Sequence, residues 1–313
     1  MRSEAIHAAL KAATWAPSVH NSQPWTFAVA GEEICVRADA DRKLRVGDHA
    51  GREMLIGCGA ALFNIRTVLR DRGWAPVTRI LPDPDRPNLL ATVRPGEAVT
   101  PDETTRLLSG EIERRRTHRA GFTTLPVPDK LIEALVRQAA AENVKLVPAG
   151  DEAALRMLAA VTQAAQGARP QDPEVRRWAR PPDSPRKDGV PADSYPREPA
   201  DTGFPQRDYA WGTETDQSMA ATGVVAIMTT RGDSREEWIA TGQALQRVLL
   251  YACAYGVSAA FHTQALELPH LREFLREELC SGAYPQMIMR LGFTFDVSRS
   301  VRRVRRPLSE VLD

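Results

Sequence analysis

Hydrophobic and polar positions alternate along this chain with two periods, one helical and one extended. From Glu4 to Thr14, Ile6, Leu10 and Ala13 fall at helical spacing, and Pro17 disfavours helix just ahead of it. Thr26–Val29 and Glu33–Val36 read as a hairpin of short strands. Met54–Arg72 is a helix stopped by Gly73, and Val77–Leu81 and Leu89–Val93 are strands about a Pro/Asp-rich turn. Helices follow at Glu103–Arg116, Lys130–Glu142 and Asp151–Gln166, with a strand at Val144–Val147. Val224–Thr229 is a strongly apolar strand, and Trp238–Tyr255 is a long helix capped by Gly256. A strand through Ala260, a short helix at Pro269–Glu278 and a strand at Pro285–Gly292 complete the pattern.

Two passages resemble each other. Fourteen residues separate Gly59 from Gly73 and also Gly242 from Gly256, with Ala61-Leu62 and Ala244-Leu245 at matching offsets. Any two buried helices share some of this. Each, however, is followed by a strand, a connection and another strand, as a duplicated unit would be. Between Ala168 and Arg207 lie nine of the 23 prolines, so this stretch cannot form a regular core. It is a linker, a disordered insertion or a loop laid over a site.

Composition narrows the class. Over 313 residues, 43% hydrophobic and 26% charged content is that of a folded globular chain. Forty-one basic against forty acidic side chains give +1, which indicates no polyanion partner. The longest apolar run, Val248–Phe261, is too short to span a bilayer. Cys35, Cys58, Cys253 and Cys280 lie far apart, without metal-ligand spacing, and the six histidines do not cluster. A soluble cytoplasmic protein without structural metal is expected.

Four stretches carry candidate chemistry. In Ala16-Pro-Ser-Val-His-Asn-Ser-Gln-Pro-Trp25, prolines near both ends restrict a loop whose Ser18, His20, Asn21 and Gln23 offer donors and acceptors. Such side chains either satisfy their own turn or meet a heterocycle rich in N and O. Arg115-Arg116-Thr117-His118-Arg119 is a solvated basic surface or a phosphate site built of arginine forks and a hydroxyl. If the segment is helical or leaves a helix, Arg115 and Arg119 share a face. The tail Arg302-Arg303-Val-Arg305-Arg306-Pro307 is a third basic run, too short for a convincing nucleic-acid patch. Val257–Gln264, after the capped helix, holds His262, either a packed structural histidine or a proton donor.

The first stretch resembles the APSxxNxQPW signature of the nitroreductase-like flavoproteins, with seven fixed positions across ten residues. Arg115–Phe122 resembles that family's RRSxRxF segment, with Thr117 for Ser and one extra residue before Phe122. The resemblance implies an FMN cofactor, an α+β fold and a loop contributed by one subunit to flavin held mainly by the other. It implies FMN contacts at Ser18, Asn21 and Gln23, and at Arg115, Arg116, Thr117 and Arg119. Arg303 and Arg305 would return to the phosphate, and Thr263 and Gln264 would face the flavin N5 edge.

The order of parts is split. The first half lacks the phosphate box, with Arg2 as a remnant, whereas the second half has it but reads Ala139–Leu146 where the loop belongs. This is similar to the Acg-type branch, as are Gly51-Arg-Glu, Asp188-Gly-Val-Pro and Trp238–Leu245. It implies two related halves, 1–100 and 101–313, fused as a pseudo-dimer around one flavin, with a lid-like insertion at 168–212. The expected activity passes electrons from NAD(P)H through FMN to a quinone, nitroaromatic or other small acceptor, with no catalytic side-chain nucleophile. The alternative is a flavin-sequestering protein whose lid prevents turnover. A monomer or weak homodimer is expected, with no nucleic acid or membrane partner.

Overall fold

The computed structural model describes residues 2–168, 173–181, 184–191, 204, 222–294 and 304–313. Two four-stranded antiparallel sheets form its frame. The first contains β1 (Trp25–Ala30), β2 (Glu33–Ala38), β3 (Trp74–Ile80) and β4 (Leu89–Ala98), in the order β1-β2-β4-β3. The second contains β5 (Lys145–Pro148), β8 (Val224–Thr230), β9 (Val257–Phe261) and β10 (Tyr284–Phe293), in the order β5-β8-β10-β9. Each sheet therefore places its last strand between its second and third. A twenty-residue helix joins the second and third strands in both: α2 (Arg52–Asp71) and α7 (Arg235–Ala254).

These two helices pack against each other at the centre. Seventeen of the twenty residues of α2 are buried, so it is covered on all sides rather than presenting one apolar stripe. Contact is close enough to require glycine. A Cβ on Gly59 would lie 2.2 Å from the Ile239 carbonyl oxygen, and one on Gly242 would lie 2.0 Å from that of Ile56. The pair noted at matching sequence offsets is thus the meeting point of the helices. Beside it, the buried Gln246 amide donates to Asn64 Oδ1 at 2.8 Å, and Asn64 Nδ2 donates to the Ala12 carbonyl at 2.9 Å. This second bond ties α1 (Arg2–Ala13) to α2. Both long helices end before a glycine of positive φ, Gly73 at 86° and Gly256 at 76°, as their sequence positions predict.

The remaining elements close the two sheets. α3 (Glu103–Glu111) packs on α2 and α7, and α4 (Asp129–Ala140), α5 (Glu152–Ala168) and α8 (Pro269–Glu278) pack on the second sheet. Short α6 (Pro173–Trp178), β6 (Ala179–Arg180) and β7 (Val190–Pro191) form a small strap with its own cluster of Val175, Ala179 and Val190. The proline-rich stretch is therefore partly regular; the rest of the predicted 168–212 insertion lies outside the described residues. The C-terminal chain pairs beside β1, with Phe27 N–H donating to Val311 at 2.7 Å and Asp313 N–H to Phe27 at 2.8 Å.

One expected element is shorter than its pattern. The helix predicted to run from Glu103 to Arg116 stops at Glu111. Thr117 instead bridges Ala259 in parallel, and His118 N–H donates to the Ala259 carbonyl at 2.8 Å. Pairing with the free edge of β9 satisfies backbone groups that further helix would have satisfied, and tertiary contact overrides helical propensity. Arg115 and Arg119 consequently do not share a helical face.

The helix contact gives a prediction with a reversed sign. In a helix interior Gly→Ala ordinarily stabilises by up to about 1 kcal/mol. Gly59→Ala and Gly242→Ala should instead destabilise by about 1–3 kcal/mol or more, because the added methyl meets backbone that cannot move aside. Gly110→Ala, with open space around it, is the neutral or stabilising control. Urea unfolding of the three variants measures the difference.

Candidate functional site

A cleft opens between the loop after α1, the central helices α2 and α7, and the β9–β10 side of the second sheet. The loop after α1 supplies Pro17, Ser18, Val19 and His20, and α2 supplies Glu53, Ile56 and Gly57. Thr117, His118 and Arg119 come from the segment beside β9, Leu245 from α7 and Met287 from β10. Ala260, Phe261, His262 and Thr263 complete the wall.

The loop is held in an uncommon conformation. His20, Asn21 and Gln23 have φ of 50°, 56° and 52°, three non-glycine residues in the left-handed region within four positions. Such backbone is costly and persists only where surroundings fix it. Here Ser18 Oγ accepts the Gln23 N–H at 2.9 Å, closing the loop, and Trp25 is fully buried beyond it. The far side is tied down as well. Asn21 Nδ2 donates to the Gly189 and Val304 carbonyls at 3.1 and 3.3 Å. Gln23 Nε2 donates to the Lys187 carbonyl at 2.8 Å, while its Oε1 accepts Arg306 N–H at 2.8 Å. Arg305 donates to Asn21 Oδ1 at 3.0 Å and to the Trp15 carbonyl at 3.3 Å. Ser18 therefore lines the cleft, whereas Asn21, Gln23 and Arg305 join the loop to the strap and the tail.

The basic segment divides similarly. Arg119 and Thr117 line the cleft. Arg115 lies behind them, only 5% exposed, with Nη1 3.4 Å from Thr117 Oγ1. Burial pushes its guanidinium down to about 10, so it remains charged at neutral pH. Its Nε is buried with no hydrogen-bond partner among the described residues. Arg116 turns aside, donating to the carbonyls of Glu113 and Arg115 at 2.9 and 2.7 Å. Thr263 is in the wall; Gln264 follows it, 8% exposed, with its Oε1 buried and unpartnered among the described residues. Arg303 lies outside the described residues.

Of the titratable cleft residues, Glu53 was not singled out as a site residue from sequence, while His20 and His118 lay in the candidate stretches without a flavin contact assigned to them. With His262 included, half of the six histidines line one cleft, although they are scattered along the chain. Among the described residues, no group of His, Cys, Asp or Glu is arranged to hold a metal ion. Burial lowers His118, whose Nε2 sits 2.7 Å from the Gly121 carbonyl and so donates to it. Glu53, second residue of α2, sits where a helix favours a carboxylate, and Arg52 Nη2 is 3.4 Å from its Oε1. Asp48 accepts the backbone N–H groups of Glu53 and Met54 at 3.0 and 2.8 Å, fixing the start of that helix. Burial raises the Asp48 carboxyl despite those bonds.

Chemically, the arrangement offers apolar walls from Ile56, Leu245 and Met287, hydroxyls from Ser18, Thr117 and Thr263, and cations at Arg119 and Arg115. A planar heterocycle with an anionic tail matches that set.

The model of the family described as "Nitroreductase family" matches residues 112–293. The Mycobacterium tuberculosis (strain ATCC 25618 / H37Rv) protein named "Putative NAD(P)H nitroreductase Rv3131" is 32% identical over 99% of this chain and 91% of its own. The chain belongs to the nitroreductase family. A second relative from the same strain, "Putative NAD(P)H nitroreductase acg", is 28% identical over 98% of this chain and 95% of its own, so the family member has Acg-type relatives. Among solved structures, the nitroreductase-like family protein from Bacillus cereus overlaps at a TM-score of 0.41 and 14% identity. It covers 69% of this chain and 98% of its own. No helix among the described residues of this nitroreductase family member is long and apolar enough to cross a membrane.

Behind Glu53, Arg52 Nη1 donates to the Gln286 carbonyl at 2.5 Å. The Gln286 side chain in turn donates to Asp233 Oδ1 at 3.0 Å, and Arg272 grips Asp233 with two bonds of 2.6 and 2.7 Å. Burial raises the Asp233 carboxyl, but hydrogen bonds from Arg272, Trp238 and Gln286 outweigh it and hold the group well below the usual carboxylate range. Its stabilising contribution is therefore complete above the unfolded value of 3.8 and declines as pH falls through the folded one. Asp233→Asn should be less stable than the parent protein at pH 7, with the gap narrowing below about pH 4. Urea midpoints at both pH values check this.

Proposed function

We propose that this chain is an FMN-binding oxidoreductase of nitroreductase type, passing electrons from NAD(P)H to a small organic acceptor. The observation that carries the reading is Arg115: a buried guanidinium with an unpartnered Nε, beside Thr117 and Arg119 at a cleft with apolar walls. A phosphate monoester, with nearly two negative charges, satisfies such a set. Arg115, Thr117 and Arg119 would hold the phosphate; Arg116 and Arg305, turned to backbone carbonyls and to Asn21, would add charge only at longer range. Ser18, Thr263 and Gln264 would meet the polar edge of the ring system, and Asn21 and Gln23 would keep the loop in contact with it. Ile56, Leu245 and Met287 would exclude water from its face.

Bound FMN would supply the redox chemistry, accepting hydride from NAD(P)H and returning electrons to the acceptor. The protein's part is to bind, orient and keep dry. We read residues 1–100 and 101–313 as two nitroreductase-like halves. The shared strand order and the glycine-to-glycine contact of α2 with α7 support that division.

The decisive experiment is to purify the protein, quantify FMN released by acid per chain, and follow flavin bleaching anaerobically with NADH, NADPH and dithionite. About one FMN per chain, bleached by a nicotinamide, is the expected result. A chain that takes up no FMN overturns the proposal. Bleaching by dithionite alone favours a sequestering role. Arg115→Glu and Arg119→Glu should each weaken FMN binding at least tenfold, because a charge-assisted bond contributes about 1.5–3 kcal/mol and reversal adds repulsion. Fluorescence-quenching titration of FMN measures the loss.

A further inference from the structure

Among the described residues, the largest fully buried side chain after Trp25 is Arg290, in β10. Its guanidinium lies between two aromatic rings, 5.5 Å from the centroid of Phe122 and 5.7 Å from that of Phe204. Nη1 reaches the Thr222 carbonyl at 3.4 Å, and Nη2 has no hydrogen-bond partner among the described residues. No carboxylate among the described residues pairs with it. Burial alone pushes the group down to about 10, which leaves it charged at neutral pH. The π faces offset part of the cost of burying a cation, but an ion out of water ordinarily needs a counter-charge.

The strongest contact of Arg290 points to where that counter-charge belongs. Nε–H donates to His262 Nε2 at 2.8 Å. His262 is 1% exposed, lines the cleft and stands edge-on to Phe204, with centroids 5.5 Å apart. Because Nε2 accepts this bond, a neutral ring carries its proton on Nδ1. One imidazole thus separates a buried cation that has no acid partner among the described residues from the cleft, immediately ahead of Thr263 and Gln264. A ligand gaining negative charge in that cleft is stabilised through the polarised ring, in a setting where water screens little.

We propose that Arg290, acting through His262, is a positioning residue that stabilises the negative charge gained by the flavin on reduction. The inference rests on the FMN reading above. When hydride leaves NAD(P)H, two electrons and a proton pass to the flavin, NAD(P)+ is formed, and the flavin gains one net negative charge. Arg290 makes that gain more favourable and fixes which nitrogen of His262 carries the proton.

The test is a redox titration of FMN-loaded wild type, Arg290→Gln and Arg290→Lys. Arg290→Gln should shift the two-electron equilibrium about tenfold toward the oxidised form, a potential lower by about 30 mV. Arg290→Lys, which keeps the charge, should recover most of the shift. An Arg290→Gln potential equal to wild type overturns the proposal, as does a lysine variant as low as the glutamine one. A wild-type chain that binds no FMN instead overturns the earlier reading. If the variants do not fold, 15N NMR of the wild-type imidazoles decides: His262 with an unprotonated Nε2 supports the proposal, and a proton on Nε2 overturns it.

Discussion

The contact between α2 and α7 governs the rest of the molecule. Gly59 and Gly242 let two long helices approach until the backbone of each touches the other, and no larger residue fits at either position. Packing density makes this an all-or-none geometry, since interiors do not compress to accommodate an extra methyl group. The cleft depends on it directly. Ile56 and Gly57 on one helix and Leu245 on the other are wall residues within three positions of the contact glycines. Helix separation therefore sets the width of the cleft. The buried Gln246–Asn64 bond adds direction to that packing, because a hydrogen bond is geometrically specific where apolar surfaces are not.

Around this axis, charge is distributed unevenly. On one flank, Asp233, Arg272, Gln286 and Arg52 form a connected set leading to Glu53, with acids and bases facing each other. On the other, Arg115 and Arg290 are buried as cations without acid partners among the described residues. A fold does not retain such groups for stability, since an unpaired buried charge opposes folding. Their placement behind the cleft wall makes sense if the ligand brings the anion. Both the proposed phosphate contact and the proposed influence of Arg290 follow from this electrostatic argument.

Much of the frame was legible from the residue pattern. The hairpin β1–β2, the two long helices with their terminal glycines and the apolar strands β8 and β10 follow from local periodicity, which tertiary contacts here reinforce. The end of α3 was not legible. Nothing local marks Glu111 as a stop; the β9 edge, more than a hundred residues away, competes for the backbone of Thr117 and His118. The signature loop was readable as a unit, but its division was not. Ser18 and Gln23 are equally polar, yet Ser18 lines the cleft while the Gln23 side chain is turned to Lys187 and Arg306.

By itself, the sequence determined the elements, the family resemblance and the residue types able to meet an anionic aromatic cofactor. These depend on local periodicity, backbone preference and side-chain chemistry, which need no knowledge of distant neighbours. The tertiary structure alone decided that His20, His118 and His262 share one cleft and that Arg290 stands behind the last of them. Burial and proximity arise from chain segments far apart in sequence. They turn an ordinary arginine into a buried cation without an acid partner among the described residues, and a histidine distant in sequence into its link with the site.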